Sequence, residues 1–156
     1  MSLADTLTKK VTQATQHLDN QQTGNAIKLF EEVIKTPAKG DDITPEVIKA
    51  KEAATYRLAK ILKEKGLVDE LIELQKMILP LFIELPKSKQ AKITRSLFDL
   101  SISIDASQQV GPNGAIAFYA KLVDLSRHII VWCETESRSF LRMRIETNLA
   151  DLLFKQ

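Results

Sequence analysis

Apolar residues recur at three- and four-residue spacing along nearly the whole chain, and the five glycines and five prolines mostly fall between these stretches. That pattern dictates helices separated by short breaks. The period-2 alternation of β-branched residues that marks strands is nearly absent, so the chain reads as all-α.

Seven helices follow from the spacing. The first covers about Ala4 to Asp19, with Leu7, Val11, Ala14 and Leu18 inward. Gly24 is expected to close a short turn before a second helix, Asn25 to Lys35, whose inward residues are Ile27, Phe30, Val33 and Ile34. Thr44-Pro45-Glu46 is a strong start: a Thr N-cap, Pro at the first helical position and an acid in the first turn. This third helix runs to Lys65 and stops at Gly66. The fourth begins near Leu67 and carries Leu71, Leu74, Ile78, Leu81 and Phe82; Pro80 should kink or end it. The fifth covers about Ser88 to Asp105, before a loop with Gly111-Pro-Asn-Gly114 as its turn. The sixth, about Asn113 to Glu134, is apolar over so wide an arc, Ile116 to Trp132, that it must be covered on more than one side. Thr135 to Ser137 is a tight corner, and the seventh helix runs from about Ser137 to Phe154.

Short breaks make hairpins: first with second, third with fourth, fifth with sixth. The seventh is left unpartnered, with an apolar seam among Leu149, Leu152, Leu153 and Phe154. Gly24 and Gly66, 42 residues apart, mark successive hairpin corners. A repeat near 40 residues fits a right-handed α-solenoid of antiparallel helical hairpins, tetratricopeptide- or HEAT-like, spanning residues 1–156. A compact bundle is the alternative.

Composition narrows the function. The chain has 156 residues, 44% hydrophobic and 27% charged, enough for one folded domain. Twenty-two basic against 20 acidic residues give +2, too little for general nucleic-acid affinity. No apolar run reaches the length of a membrane span, and the N-terminus has no signal-peptide core. The single cysteine, Cys133, excludes an internal disulfide and places the chain in a reducing compartment.

No motif of catalysis or cofactor binding appears, whether a phosphate loop, G-x-G-x-x-G, H-E-x-x-H or a nucleophile elbow. His17 and His128 stand far apart without a nucleophile, and Cys133 reads as a buried packing residue. Glu31-Glu32 and Asp41-Asp42 read as a helix face and a solvated loop, not a metal site. The expectation is no catalytic residue, no cofactor and no metal.

The candidate binding residues are basic. Lys89, Lys92 and Arg95 share a helix face, joined by Lys87; Arg138 and Arg142 lie farther on, with Arg144; Lys9 and Lys10 sit on the first helix. They offer a surface to an acidic partner. Solubility and ion pairs between repeats, with Asp99 and Glu146, are the favoured explanation, because exposed pairs are common. No aromatic alternates with them for base stacking.

Two segments carry a resemblance. Lys87-Ser-Lys-Gln-Ala-Lys-Ile-Thr-Arg-Ser-Leu-Phe-Asp-Leu100 resembles the S-K-x-x-[KR]-x-x-[RK]-S-L-x-D segment of the proteasome lid family of non-ATPase regulatory subunit 11. Trp132 with Glu136-Ser-Arg-Ser-Phe-Leu-Arg142 is similar to that family's W-A-K-x-E-K-R-x-F-L-[RK] stretch, and Glu146, Leu149 and Phe154 extend it. Lys51-Glu52, Gly66 and Pro80-Leu81-Phe82 fall where the family has a K-E-Q start, a hairpin glycine and an R-P-F turn. Cys133-Glu134 depart from the family's Ala-Lys. The resemblance implies a non-catalytic scaffold of the 19S regulatory particle, cytoplasmic and nuclear, whose N-terminal solenoid clamps the lid to the α-ring of the 20S core. It implies lid subunits as further partners and a C-terminal PCI domain beyond this chain. The alternatives are the related COP9 signalosome subunit and an RNA-binding helical repeat.

Overall fold

The computed structural model describes residues 2–109, 113–136 and 138–155, with the side chains of Gln108 and Lys155 left aside. The Gly111-Pro112 part of the expected turn and Ser137 at the expected corner lie outside the described residues. Seven α-helices are present: α1 (Leu3–Asp19), α2 (Thr23–Lys35), α3 (Pro45–Glu64), α4 (Val68–Leu81), α5 (Lys87–Ile102), α6 (Gly114–Thr135) and α7 (Ser139–Lys155). Two short 3-10 turns, Gly40–Asp42 and Ala106–Gln108, sit in the linkers. The second of these is absent from the sequence reading, which ran α5 on to Asp105.

Local chemistry sets the ends. Ser2 Oγ accepts from the Asp5 amide at 3.1 Å and Thr44 Oγ1 from the Val47 amide at 3.3 Å, each satisfying an orphan donor of a first turn. Pro45 occupies the first helical position of α3, as expected. At its end Gly66, at φ +72°, donates to Lys63 O, and the Leu67 amide donates to Leu62 O. That is a Schellman turn. The end of α1 is built the same way: Gln21 donates to Leu18 O and Gln22 to His17 O, with Gln21 at φ +61°. The equivalent corners are therefore Gln21 and Gly66, 45 residues apart. Gly24 is no corner but the second residue of α2. Pro80 falls in the last turn of α4, where it cannot donate back to the Lys76 carbonyl, and the helix ends one residue later.

Packing is between near neighbours in chain order. α1 meets α2 and α3; α2 meets α3 and α4; α3 meets α4 and α5; α4 meets α5 and α6; α7 meets α5 and α6. Odd-numbered helices thus line up on one side and α2, α4 and α6 on the other, in the layered stacking of a helical-repeat array. Two corrections follow. α5 and α6 share no extensive contact, because the linker with the Ala106–Gln108 turn carries α6 across onto α4. Nor is α7 unpartnered: it packs along α6, burying Leu141, Ile145 and Leu152.

Two apolar cores run through the array. The first gathers Leu7, Phe30, Val47, Leu58, Leu71, Ile93 and others from α1 to α5. The second gathers Phe98, Phe118, Leu122, Ile129, Ile145 and others from α4 to α7. Leu81 and Ile116, expected inward, are exposed instead. One charged residue enters the first core. Lys51, only 4% exposed, donates from Nζ to Val33 O (2.8 Å), Ile34 O (3.2 Å) and Thr36 O (2.5 Å). It caps the negative end of α2 from inside α3. Burial pulls its pKa down to about 8.

Candidate partner-binding surface

The stacked geometry decides where the basic residues go. On α5, Lys89 and Lys92 both face α3 and share one carboxylate, Glu52, at 3.3 and 3.6 Å. Arg138 donates to Gln90 Oε1 at 3.1 Å and stands 5.7 Å over the Trp132 ring. Gln90 in turn donates to Ile83 O and Leu85 O, so this cluster ties the start of α7 to the α4–α5 turn. Arg142 pairs with Glu146 at 2.8 Å and Glu134 at 3.8 Å, and Arg144 pairs with Asp99 at 2.7 Å. Lys10 pairs with Glu32 at 3.3 Å. Lys9 and Arg95 are exposed and make no ion pair among the described residues. The structure thus brings Lys89 and Lys92 together at Glu52 and leaves Lys9, the Lys89–Arg95 group and the Arg138–Arg142 group on separate helices.

Sequence inspection passed over a second set of cations. α3 turns Lys49, Arg57 and Lys60 outward, all exposed and none in an ion pair among the described residues. The signal was present as the local charge excess of residues 46–66, six basic against three acidic, but spacing had not separated the buried Lys51 from its neighbours. A groove of about 520 Å³ lies between α1 and α3, and one of about 380 Å³ between α3 and α5, floored by Ala59, Leu97 and Leu100.

The remaining titratable groups are explained by packing. Cys133 is buried at 1% exposure, and loss of water pushes its thiol up to about 11 even though Arg138 and Arg142 pull the other way. Burial also raises Tyr56. Lys76 and Asp124 form a surface pair at 2.8 Å, each favouring the other's charged form through their hydrogen bond. His17 Nδ1 donates to Gln22 Oε1 at 2.6 Å. Among the described residues no group of three His, Cys, Asp or Glu is placed to hold a metal ion, and no helix is long and apolar enough to cross a membrane.

An array of stacked helices with grooves between layers and charge on its flanks defines a helical-repeat protein whose surfaces, rather than an enclosed cavity, are available for recognition. The chain belongs to the family described as the 26S proteasome regulatory subunit RPN6 N-terminal domain, whose model matches residues 7–156. Among its relatives is the Caenorhabditis elegans probable 26S proteasome regulatory subunit rpn-6.1, 32% identical over 135 residues, covering 86% of this chain and 28% of the relative. The Arabidopsis thaliana 26S proteasome non-ATPase regulatory subunit 11 homolog is 29% identical over 133 residues, covering 85% of this chain and 28% of the relative. The Dictyostelium discoideum 26S proteasome non-ATPase regulatory subunit 11 is 28% identical over 135 residues, with 86% and 28% covered. The chain therefore spans a little over a quarter of the length of these relatives. No solved structure matches it significantly.

Proposed function

We propose that this chain is a non-catalytic scaffold portion of the lid of the 19S regulatory particle, and that it helps clamp the lid to the α-ring of the 20S core in ubiquitin-dependent degradation. The carrying observation is that the family match runs over residues 7–156, the same span that forms the continuous stacked array. In this reading residues 1–156 are the N-terminal solenoid, and a PCI domain beyond them joins the other lid subunits, in cytoplasm and nucleus. Stacked helices suit the task because each buried face fixes the next helix, which gives a continuous arm without a ligand. Of the seven basic residues singled out, Lys9 and Arg95 meet a partner first, since their charge is unspent. Lys10, Lys89, Lys92, Arg138 and Arg142 exchange an internal contact when they bind.

The test is affinity capture from cell extract with the chain as bait, at low and at moderate salt, read by mass spectrometry. Recovery of 20S core subunits that declines with salt is the expected result. Recovery of signalosome subunits or RNA with no proteasome overturns the reading.

A further inference from the structure

The groove between α1 and α3 has cations on its α3 rim. Lys49 and Arg57, both exposed, are among its lining residues. Arg57 donates to Thr15 Oγ1 at 2.8 Å, a neutral acceptor that leaves the guanidinium charge uncompensated. Glu46, at one end, is the carboxylate among the lining residues. Val11, Ala50 and Ala53 line the groove between the rims. Thr12 and Thr15 turn their hydroxyl protons back to Thr8 O (3.0 Å) and Val11 O (2.9 Å), and Thr8 and Gln16 complete the neutral α1 wall. At about 520 Å³ the groove has the size of a ligand-taking cleft.

The spacing selects a ligand shape. Lys49 and Arg57, eight residues apart on one helix, are separated by about 12 Å along its axis. An extended peptide advances about 3.3 Å per residue and turns residues i, i+2 and i+4 to one side. We infer that this groove takes an extended acidic segment of a partner protein: carboxylates at i and i+4 on Lys49 and Arg57, and an apolar side chain at i+2 on Val11 and Ala53. The inference rests on the scaffold reading in taking the partner to be a protein, and it adds the surface and the chemistry. A nucleic acid fits less well, because no aromatic lines the groove for a base to stack on.

The experiment is a titration of the isotopically labelled chain with acetyl-Glu-Ser-Leu-Ser-Glu-amide, followed by amide chemical shifts. Saturable shifts at Thr12, Ala53 and Arg57 are expected. Lys49→Glu combined with Arg57→Glu weakens them at least tenfold, and replacing both peptide glutamates by lysine does the same. Ala53→Leu, which fills the floor and leaves every charge in place, also weakens binding about tenfold; an unchanged melting curve shows that each variant is folded. Absence of saturable shifts at the groove overturns the inference, as does binding indifferent to these variants. A uridine oligonucleotide that produces the same shifts and displaces the peptide at equal concentration overturns it too. The two readings fail separately. Peptide binding without recovery of 20S subunits removes the clamp and keeps the groove. Recovery of 20S subunits unaffected by the double charge reversal, with no peptide bound, removes the groove and keeps the clamp.

Discussion

Residues 2–80 and residues 81–155 use the same kind of helix but finish their surfaces differently. Among the described residues eight large apolar side chains are exposed, and none of them precedes Leu81. Two, Leu81 and Ile83, are at the α4–α5 turn; the other six are on α6 and α7. α7 buries Leu141, Ile145 and Leu152 against the array, while Phe140 and Phe154 are 91% and 92% exposed and Met143 lies with them on the opposite face. The expected seam on the last helix exists, but it runs through Phe140, Met143, Leu153 and Phe154 rather than Leu149 and Leu152. The first part presents charge and shallow grooves, and the second presents oil. The contrast teaches that the two parts are suited to different contacts: salt-sensitive ones at α1–α4 and apolar ones at α7.

The largest effects probe whether the two cores fold as one. Phe30→Ala in the first and Phe98→Ala in the second should each cost about 3–5 kcal/mol, since both rings are fully buried. One cooperative denaturation transition in both variants shows a shared unit; two transitions in either separate the cores.

Next comes the charged residue unique to the first core. Lys51→Met strands three carbonyls at the end of α2 and should cost about 2–3 kcal/mol by chemical denaturation. Its pH dependence has a definite sign. The folded value, about 8, lies below the ordinary 10.5, so between them the unfolded chain holds a proton that the folded chain has released. Stability of the parent therefore rises from pH 8 to 10.5 relative to Lys51→Met, which has nothing to titrate there. A difference that falls over that window contradicts the assignment.

Smaller effects belong to the two corners. Gly66→Ala should destabilise by about 1 kcal/mol, and Gln21→Gly should stabilise by up to about 1 kcal/mol, because both positions hold positive φ. Thermal melts of the pair check this. The smallest effect on stability comes from the bare face: Phe140→Ser with Phe154→Ser should shift it by no more than about 0.5 kcal/mol. The same double variant should remove most binding of a hydrophobic dye and any self-association at high concentration. Dye binding that survives it relocates the apolar surface elsewhere.

Much of this fold was legible in the sequence for identifiable reasons. Thr44-Pro45 and Gly66 announce their ends because N-cap oxygen, fixed φ and a left-handed glycine act locally. The apolar residues Val47, Ala50, Ala54, Leu58, Ile61 and Leu62 of α3 recur at the helical period, and all of them are buried. The corner at Gln21 was hidden because a glutamine there accepts strain that sequence reading assigns to glycine, and Gly24 drew the register instead. The pairing of α6 with α7 was hidden because break length says nothing about which layer a linker crosses to. The surface was less legible still. Charge spacing found Lys89 and Lys92, but only tertiary structure reveals that Glu52 occupies both, and that Lys49, Arg57 and Lys60 are unpaired.

Neighbour-only packing has a mechanical consequence. A load applied between α1 and α7 passes from one layer of helices to the next, so the compliances of successive layers add, as in springs joined end to end. Small rotations at each junction then sum to a large displacement at the tip, while no single helix pair is strained far from its resting fit.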